Sequence, residues 1–250
     1  MHEKATQNAT VVKIENGWRL GIQKGDSLTY RDAQLDDYSG LLRHKFPHHS
    51  LTLSLRARAS SMSIPGTWGF GLWNDPFGMS LGFGGNPFRL PALPNAVWFF
   101  SASAQNYLSF TDDKPAKGFL VQSFRSPKFH PRLISAGLTL PFSRRTARSL
   151  LRKVIDEDSS ALSVDVTQWH GYRFEWSPKR VLFYVDDVQV FESPVSPNPP
   201  MGLIIWIDNQ YAAFTPEGKI GFGVLENSEP AWIEITDLSL SGTKPLKKQR

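Results

Sequence analysis

The chain has no cysteine, which excludes disulfides, thiol nucleophiles and thiolate zinc sites. It has no run approaching the ~20 apolar residues of a membrane-spanning helix. The opening MHEKATQNATVV lacks the apolar stretch of a secretory leader, so a cytoplasmic protein is expected, secreted only if a leader was removed. Phosphate-cradling Gly-Lys loops, Gly-x-Ser-x-Gly elbows and paired metal-binding histidines are missing. The one histidine cluster, HKFPHH from His44 to His49, has no acid beside it in sequence and predicts no metal. Acids themselves are missing from a long window: no Asp or Glu stands between Asp75 and Asp112.

The formal charge is +5, and much of the excess sits in RRTARSLLRK (Arg144 to Lys153) and in KPLKKQR (Lys244 to Arg250). Without a nucleic-acid motif these read as a solvated helix face and a terminal tail, so neither a nucleic-acid nor a membrane partner is expected. Glycine and proline are spread along the whole length, the punctuation of many short strands. The expected organisation is one all-β domain over residues 1–243 followed by a basic tail, 244–250.

Alternation is clearest in SLTLSLRARAS, where Leu51, Leu53, Leu55, Ala57 and Ala59 share one side and polar residues the other. Further strands are expected at Trp68–Trp73, Met79–Phe83, Ala96–Ser103, Phe119–Phe124, Ala161–Val166, Trp169–Trp176, Met201–Asp208, Lys219–Val224 and Trp232–Leu240. RVLFYVDDVQVFE predicts an antiparallel hairpin turning at Asp186 and Asp187. Helical spacing occurs once, in Ala147, Leu150, Leu151 and Val154 after a Ser143 cap, and the acidic Asp156 to Asp158 should stop that helix near Ile155. So many half-apolar strands bury one side only if two antiparallel sheets pack face to face.

The segment WHGYRFEWSPKRVLFYVDDVQVFESP, followed by NPPMGLIIWIDN, resembles the second half of concanavalin A-like jelly rolls, particularly glycoside hydrolase family 16. His170, Tyr172, Glu175, Trp176, Tyr184, Val185, Asp186, Pro200 and Met201 match its motifs, with Asp187 in place of a glycine. GTWGFGLW resembles its tryptophan strand, with Gly69 and Phe70 replacing Pro and Ala, and WIEITDLSL its closing strand. The resemblance spans Leu51 to Leu240 and implies a jelly-roll β-sandwich. It also implies a pair of catalytic carboxylates on the strand after the tryptophan strand. The corresponding NAVWFFSASAQNYLSF holds no acid, so the family's chemistry is not carried over and no catalytic residue is assigned. Asp237 matches an aspartate that binds a structural calcium ion in some relatives, a single side-chain ligand where calcium takes six to eight oxygens.

Two constellations place a tryptophan beside an acid and an amide: Trp73, Asn74 and Asp75, and Trp206, Asp208, Asn209 and Gln210. Each suits a sugar platform, an aromatic face for pyranose C–H groups with polar groups for hydroxyls. Each also has a plainer reading, a core tryptophan followed by a turn. Trp98 stands where the family carries its acids and would make a stacking floor, or pack in the core. His170 reads as a hydrogen-bonded structural residue, and Glu175 as the ion-pair partner of Arg173. The leading expectation is carbohydrate binding in a concave groove without catalysis. The alternatives are a glycosidase with relocated carboxylates, Asp75, Asp208 or Glu175 among them, and a protein-interaction sandwich.

Overall fold

The computed structural model describes residues 1–76, 89, 92–127 and 143–242. The strand expected at Met79–Phe83 and the tail 244–250 lie outside the described residues. The described strands in chain order are β1 (His2–Ala5), β2 (Ala9–Ile14), β3 (Gly17–Ile22), β4 (Asp32–Asp36), β5 (Leu51–Ala59), β6 (Thr67–Trp73), β7 (Ala96–Ala102) and β8 (Gly118–Arg125). They continue as β9 (Asp156–Ala161), β10 (His170–Ser177), β11 (Arg180–Val185), β12 (Val188–Ser193), β13 (Gly202–Asp208), β14 (Gln210–Phe214), β15 (Ile220–Val224) and β16 (Ala231–Ser241). Among the described residues one α-helix, α1 (Arg144–Arg152), follows β8, and a single 3-10 turn covers Arg43–Lys45.

Two seven-stranded sheets result, ordered β1-β4-β13-β6-β7-β8-β9 and β12-β11-β10-β5-β16-β3-β2, and β14 pairs with β15 in a separate hairpin. The pairing is antiparallel throughout both sheets. Period-two alternation sends Leu53, Phe174, Phe183 and Ile235 inward from the second sheet and Phe70, Phe99, Leu203 and Ile205 inward from the first, all fully buried. Ring contacts lock the layers together: Phe70 lies 5.2 Å from Tyr172 and Phe99 5.5 Å from Phe183, centre to centre. This is the all-β, antiparallel, two-sheet jelly roll that the alternation and the family resemblance predict.

The hairpin at Asp186–Asp187 forms as expected, both residues taking positive φ (48° and 64°). Ser143 caps α1, its hydroxyl accepting from the Thr146 N–H. Ser143→Ala is expected to cost about 1 kcal/mol, read as a lower urea midpoint with unchanged slope.

Three expectations need correction. The helix stops at Arg152, and the acidic run that was to end it is itself strand β9, so the strand expected at Ala161–Val166 lies earlier in the chain. Ion pairs explain the shift: Arg125 holds Asp156 at 2.8 Å and Lys114 holds Asp158 at 2.7 Å, while Glu157 and Ser159 are buried on the other face of the strand, beside Phe124 and Gln122. The basic run is not wholly solvated either. Arg148 is buried, donating to the Ser109 and Phe214 carbonyls and pairing with Asp112 at 3.0 Å. His48, in the histidine cluster, has an acid after all, Asp37 at 2.6 Å.

Candidate functional site

The outer face of the first sheet, turned away from the core, is where the tryptophans converge. Register explains how. Gly69 of β6 pairs with Trp206 of β13 on one side and Phe100 of β7 on the other, while Gly71 pairs with Ile204 and Trp98. The bare backbone at these two positions makes room for neighbouring rings. A Cβ on Gly69 would fall 2.9 Å from the Trp206 ring, and one on Gly71 only 2.5 Å from Trp98 Cβ. The space expected to serve Trp73 is therefore filled by Trp98 and Trp206.

A continuous aromatic row results. Trp73 and Trp98 lie 6.2 Å apart, Trp98 and Trp206 5.6 Å, and Phe100 and Trp206 5.8 Å. Each indole N–H is anchored from within: Trp73 donates to the Tyr38 hydroxyl (2.7 Å), Trp98 to Gln122 (3.1 Å) and Trp206 to the Thr67 hydroxyl (2.9 Å). Anchoring sets the tilt of the rings and leaves their faces to make contacts. Trp73 and Trp98 are half-buried, whereas Trp206 is only 8% exposed, packed with Tyr38, Phe46 and Ile204 in a second apolar cluster on this face.

The polar candidates divide into two groups. Asn74 donates to the Leu93 carbonyl and accepts from the Asn95 N–H; Asn209, fully buried, accepts from Arg31 N–H and donates to the Thr29 and Leu225 carbonyls. Asp75, at φ +47°, pairs with Arg89 at 2.5 Å, and Arg89 in turn donates to the Leu41 and Tyr38 carbonyls. These three side chains tie loops together beneath the row, and their hydrogen-bonding capacity is spent within the chain. In the structure these three side chains join neighbouring loops, as buried polar groups that meet their hydrogen-bonding needs locally do.

Asp208 and Gln210 differ. Oδ1 of Asp208 accepts from the Thr67 N–H (3.2 Å), the Thr67 hydroxyl (2.9 Å) and the Gln210 N–H (3.1 Å). Burial pushes its carboxyl up to about 7, against those three bonds. Across the strand pair stands Asp32 of β4. Asp32 is half-buried as a residue, yet surrounding atoms desolvate its carboxyl and, with the Asp208 charge, raise it well above the usual range. Tyr30 beside them is raised too, by burial first and then by the two carboxyls. Gln210, half-buried, opens β14 directly after this group.

Sequence reading overlooked Asp32, Gln122, Thr67 and Glu157. Glu157 of β9 accepts from the Phe110 N–H (2.7 Å) and Gln122 (3.1 Å), and burial raises its carboxyl above the ordinary range. Asp32, Gln34 and Asp36 alternate with Ala33 and Leu35, a period-two signal that was legible. Gln122 and Glu157 carried no such signal, because only pairing across β7, β8 and β9 brings them to Trp98.

At the closing strand, Asp237 sits at φ +55° in a bulge, its carboxylate accepting from the Thr236 hydroxyl. A shallow trough there is lined by Asn16, Trp18 and Leu238 as well. One carboxylate is too few for calcium, and among the described residues no group of three or more His, Asp or Glu side chains gathers to hold a metal. His170 bonds Asp186 at 2.6 Å and Glu175 pairs with Arg173, both on the second sheet and away from the tryptophan row.

No family model and no curated protein matches the chain. Solved structures do share its fold. The kappa-carrageenase from Pseudoalteromonas carrageenovora, in complex with an oligotetrasaccharide of kappa-carrageenan, is 11% identical with a TM-score of 0.50, over 94% of this chain and 83% of that one. A β-glucanase of Bacillus licheniformis is 10% identical (TM-score 0.46; 95% and 83% covered). A carbohydrate binding module from Bacillus subtilis is 11% identical (TM-score 0.42; 94% and 92% covered). The likeness is one of fold, a two-sheet antiparallel jelly roll. Among the described residues no helix is long and apolar enough to cross a membrane.

Proposed function

We propose that the chain binds a carbohydrate on the outer face of its first sheet, with Trp73, Trp98 and Trp206 as the stacking floor and Asp208 and Gln210 as the polar contacts. The observation that carries this reading is the row itself: three tryptophans from three adjacent strands, each anchored by its N–H and each in tilted ring contact with the next. Trp73 and Trp98 stay half-buried on a sheet face whose other side already carries a complete core, so ring surface remains for a ligand. The fold shared with the carrageenase and the binding module agrees with a sugar ligand. Hydrolysis by the family's route is not part of the proposal, because β7, which pairs with the tryptophan strand, carries Ala96, Trp98, Phe100 and Ala102 on this face and no acid.

The test is calorimetry against neutral oligosaccharides of glucose and of galactose, with reducing-end release followed in parallel. Binding by the native chain without release of reducing ends is expected. Trp98→Leu, which keeps the face apolar but removes the ring, should weaken binding at least about tenfold, and Gln210→Ala a few-fold. Absence of binding across the panel, or equal binding by Trp98→Leu, would overturn the proposal.

A further inference from the structure

The outer face of the second sheet carries charge in place of an apolar layer. Arg19 of β3, Arg58 and Arg56 of β5 and Trp232 of β16 project from it, and Trp169, just before β10, lies across β5. The guanidinium of Arg19 sits 4.7 Å from the Trp232 ring centre and that of Arg58 5.5 Å from it. Arg58 is also 5.0 Å from Trp169, and Arg56 5.6 Å. Cations and rings thus alternate across three strands.

One acid lies among them. Glu234, 4% exposed, accepts from Arg19 at 2.8 Å and from Arg58 at 2.7 Å. Two guanidinium groups therefore clamp one internal carboxylate, and Arg56 stands beside Arg58 over the same Trp169 ring. Arg56 is exposed and has no salt bridge among the described residues. The nearest acid acting on it, Asp186, is already bound by His170 (2.6 Å) and the Gly171 N–H (2.8 Å). Farther along the face, Arg173 is tied to Glu175 and stacks on Tyr184 at 3.7 Å. Beside Trp232 and Arg19 opens a trough of about 450 Å³, lined by Thr10, Val12, Gly21 and Gln23.

From this arrangement we infer a second binding surface, for a polysaccharide bearing uronic acids: Arg56 takes a sugar carboxylate, and the trough beside Trp232, roughly 13 Å away along β16, takes a pyranose ring farther along the same polymer. Stacked guanidinium groups are held flat before a ligand arrives, so little rotamer freedom is lost when their N–H forks close on an oxyanion. Glu234 shows Arg19 and Arg58 binding a carboxylate in the chain's own structure, and Arg56 offers the same group beside them with no salt bridge among the described residues. Single-stranded nucleic acid requires open aromatic faces for its bases, and both rings here have guanidinium groups over them. The surface lies on the opposite sheet from the tryptophan row, so it stands or falls separately from the proposal above.

The test is affinity electrophoresis of the full chain in gels containing polygalacturonate, a neutral galactan, dextran sulfate or single-stranded DNA, at about 0.15 M salt to screen non-specific attraction. Retention by polygalacturonate above the other three polymers is expected, weakened at least about fivefold in Arg56→Ala and less in Arg56→Lys, with galactan mobility the same in all. Trp169→Leu, which removes the support of Arg56, should behave like Arg56→Ala. Free passage through polygalacturonate would overturn the inference. So would unaltered retention of both variants, or binding of dextran sulfate or DNA as tight as that of polygalacturonate, which would mark only the attraction of a +5 chain.

Discussion

Gly71→Ala is expected to destabilise the fold by about 3 kcal/mol. An added Cβ would sit 2.2 Å from the Val97 carbonyl oxygen and 2.6 Å from Trp98 Cα. Both are backbone atoms of the paired central strand β7, so neither can move without dragging the ladder with it. Relief by a rotamer change is unavailable, unlike at Gly25, where the near atoms belong to the Arg31 side chain. Gly171→Ala is the control. It too lies in a strand, but the added carbon would meet nothing nearer than an Asp186 carboxylate oxygen at 3.7 Å, so a change within about 0.5 kcal/mol is expected. Urea unfolding of the two variants side by side checks the claim that β6 is glycine-rich because neighbouring backbone and indole rings occupy the volume of its side chains.

The second large effect is a dependence of stability on pH. Asp208 has a native value of about 7 against an ordinary value near 4. The native state therefore binds more protons than the unfolded one between those limits, and stability falls as pH rises through that window, then levels off above it. Asp32, also raised, acts in the same direction, so the two carboxyls lose their protons as a coupled pair. Asp36 and Glu234 go the other way, held low by their hydrogen bonds and neighbouring cations despite burial, and their contribution is lost only on strong acidification. Between pH 5 and 8 the native chain should lose on the order of 2 to 4 kcal/mol. Asp208→Asn keeps an oxygen to accept from Thr67 but cannot ionise, and should abolish most of that slope. Thermal unfolding of both proteins across the range reads it directly. Parallel slopes for the two would show that Asp208 is ionised in the native state at neutral pH.

Architecture was legible in the sequence because it is written at period two. Leu51 to Ala59 alternates without a break, and the turn at Asp186–Asp187 needs only local chemistry. The four N-terminal strands were harder to see. β1 is exposed along its whole length and β2 is half polar, so neither shows an apolar face, although β4 does. β9 was hidden for a different reason, since its acids are neutralised by Arg125 and Lys114 from distant segments.

The site was legible as residue types and not as roles. Trp206 and Asp208 do share a face, as alternation requires, and Trp98 joins them on it. What composition could not tell is that Asp75 answers to Arg89 and that Asn209 holds Arg31 and Leu225, partners 14 to 178 positions away. The glycines of GTWGFGLW announced empty space; only register shows which rings fill it.

Nitrogen-15 NMR of the eight indole N–H groups, followed while a neutral oligosaccharide is titrated in, tests the central claim most directly. Saturable shifts of the Trp73, Trp98 and Trp206 resonances, with Trp169 and Trp232 unmoved, are predicted. If the three stay fixed while the sugar binds elsewhere, or no resonance moves at any concentration, the tryptophan row is hydrocarbon packing and the proposed site is contradicted.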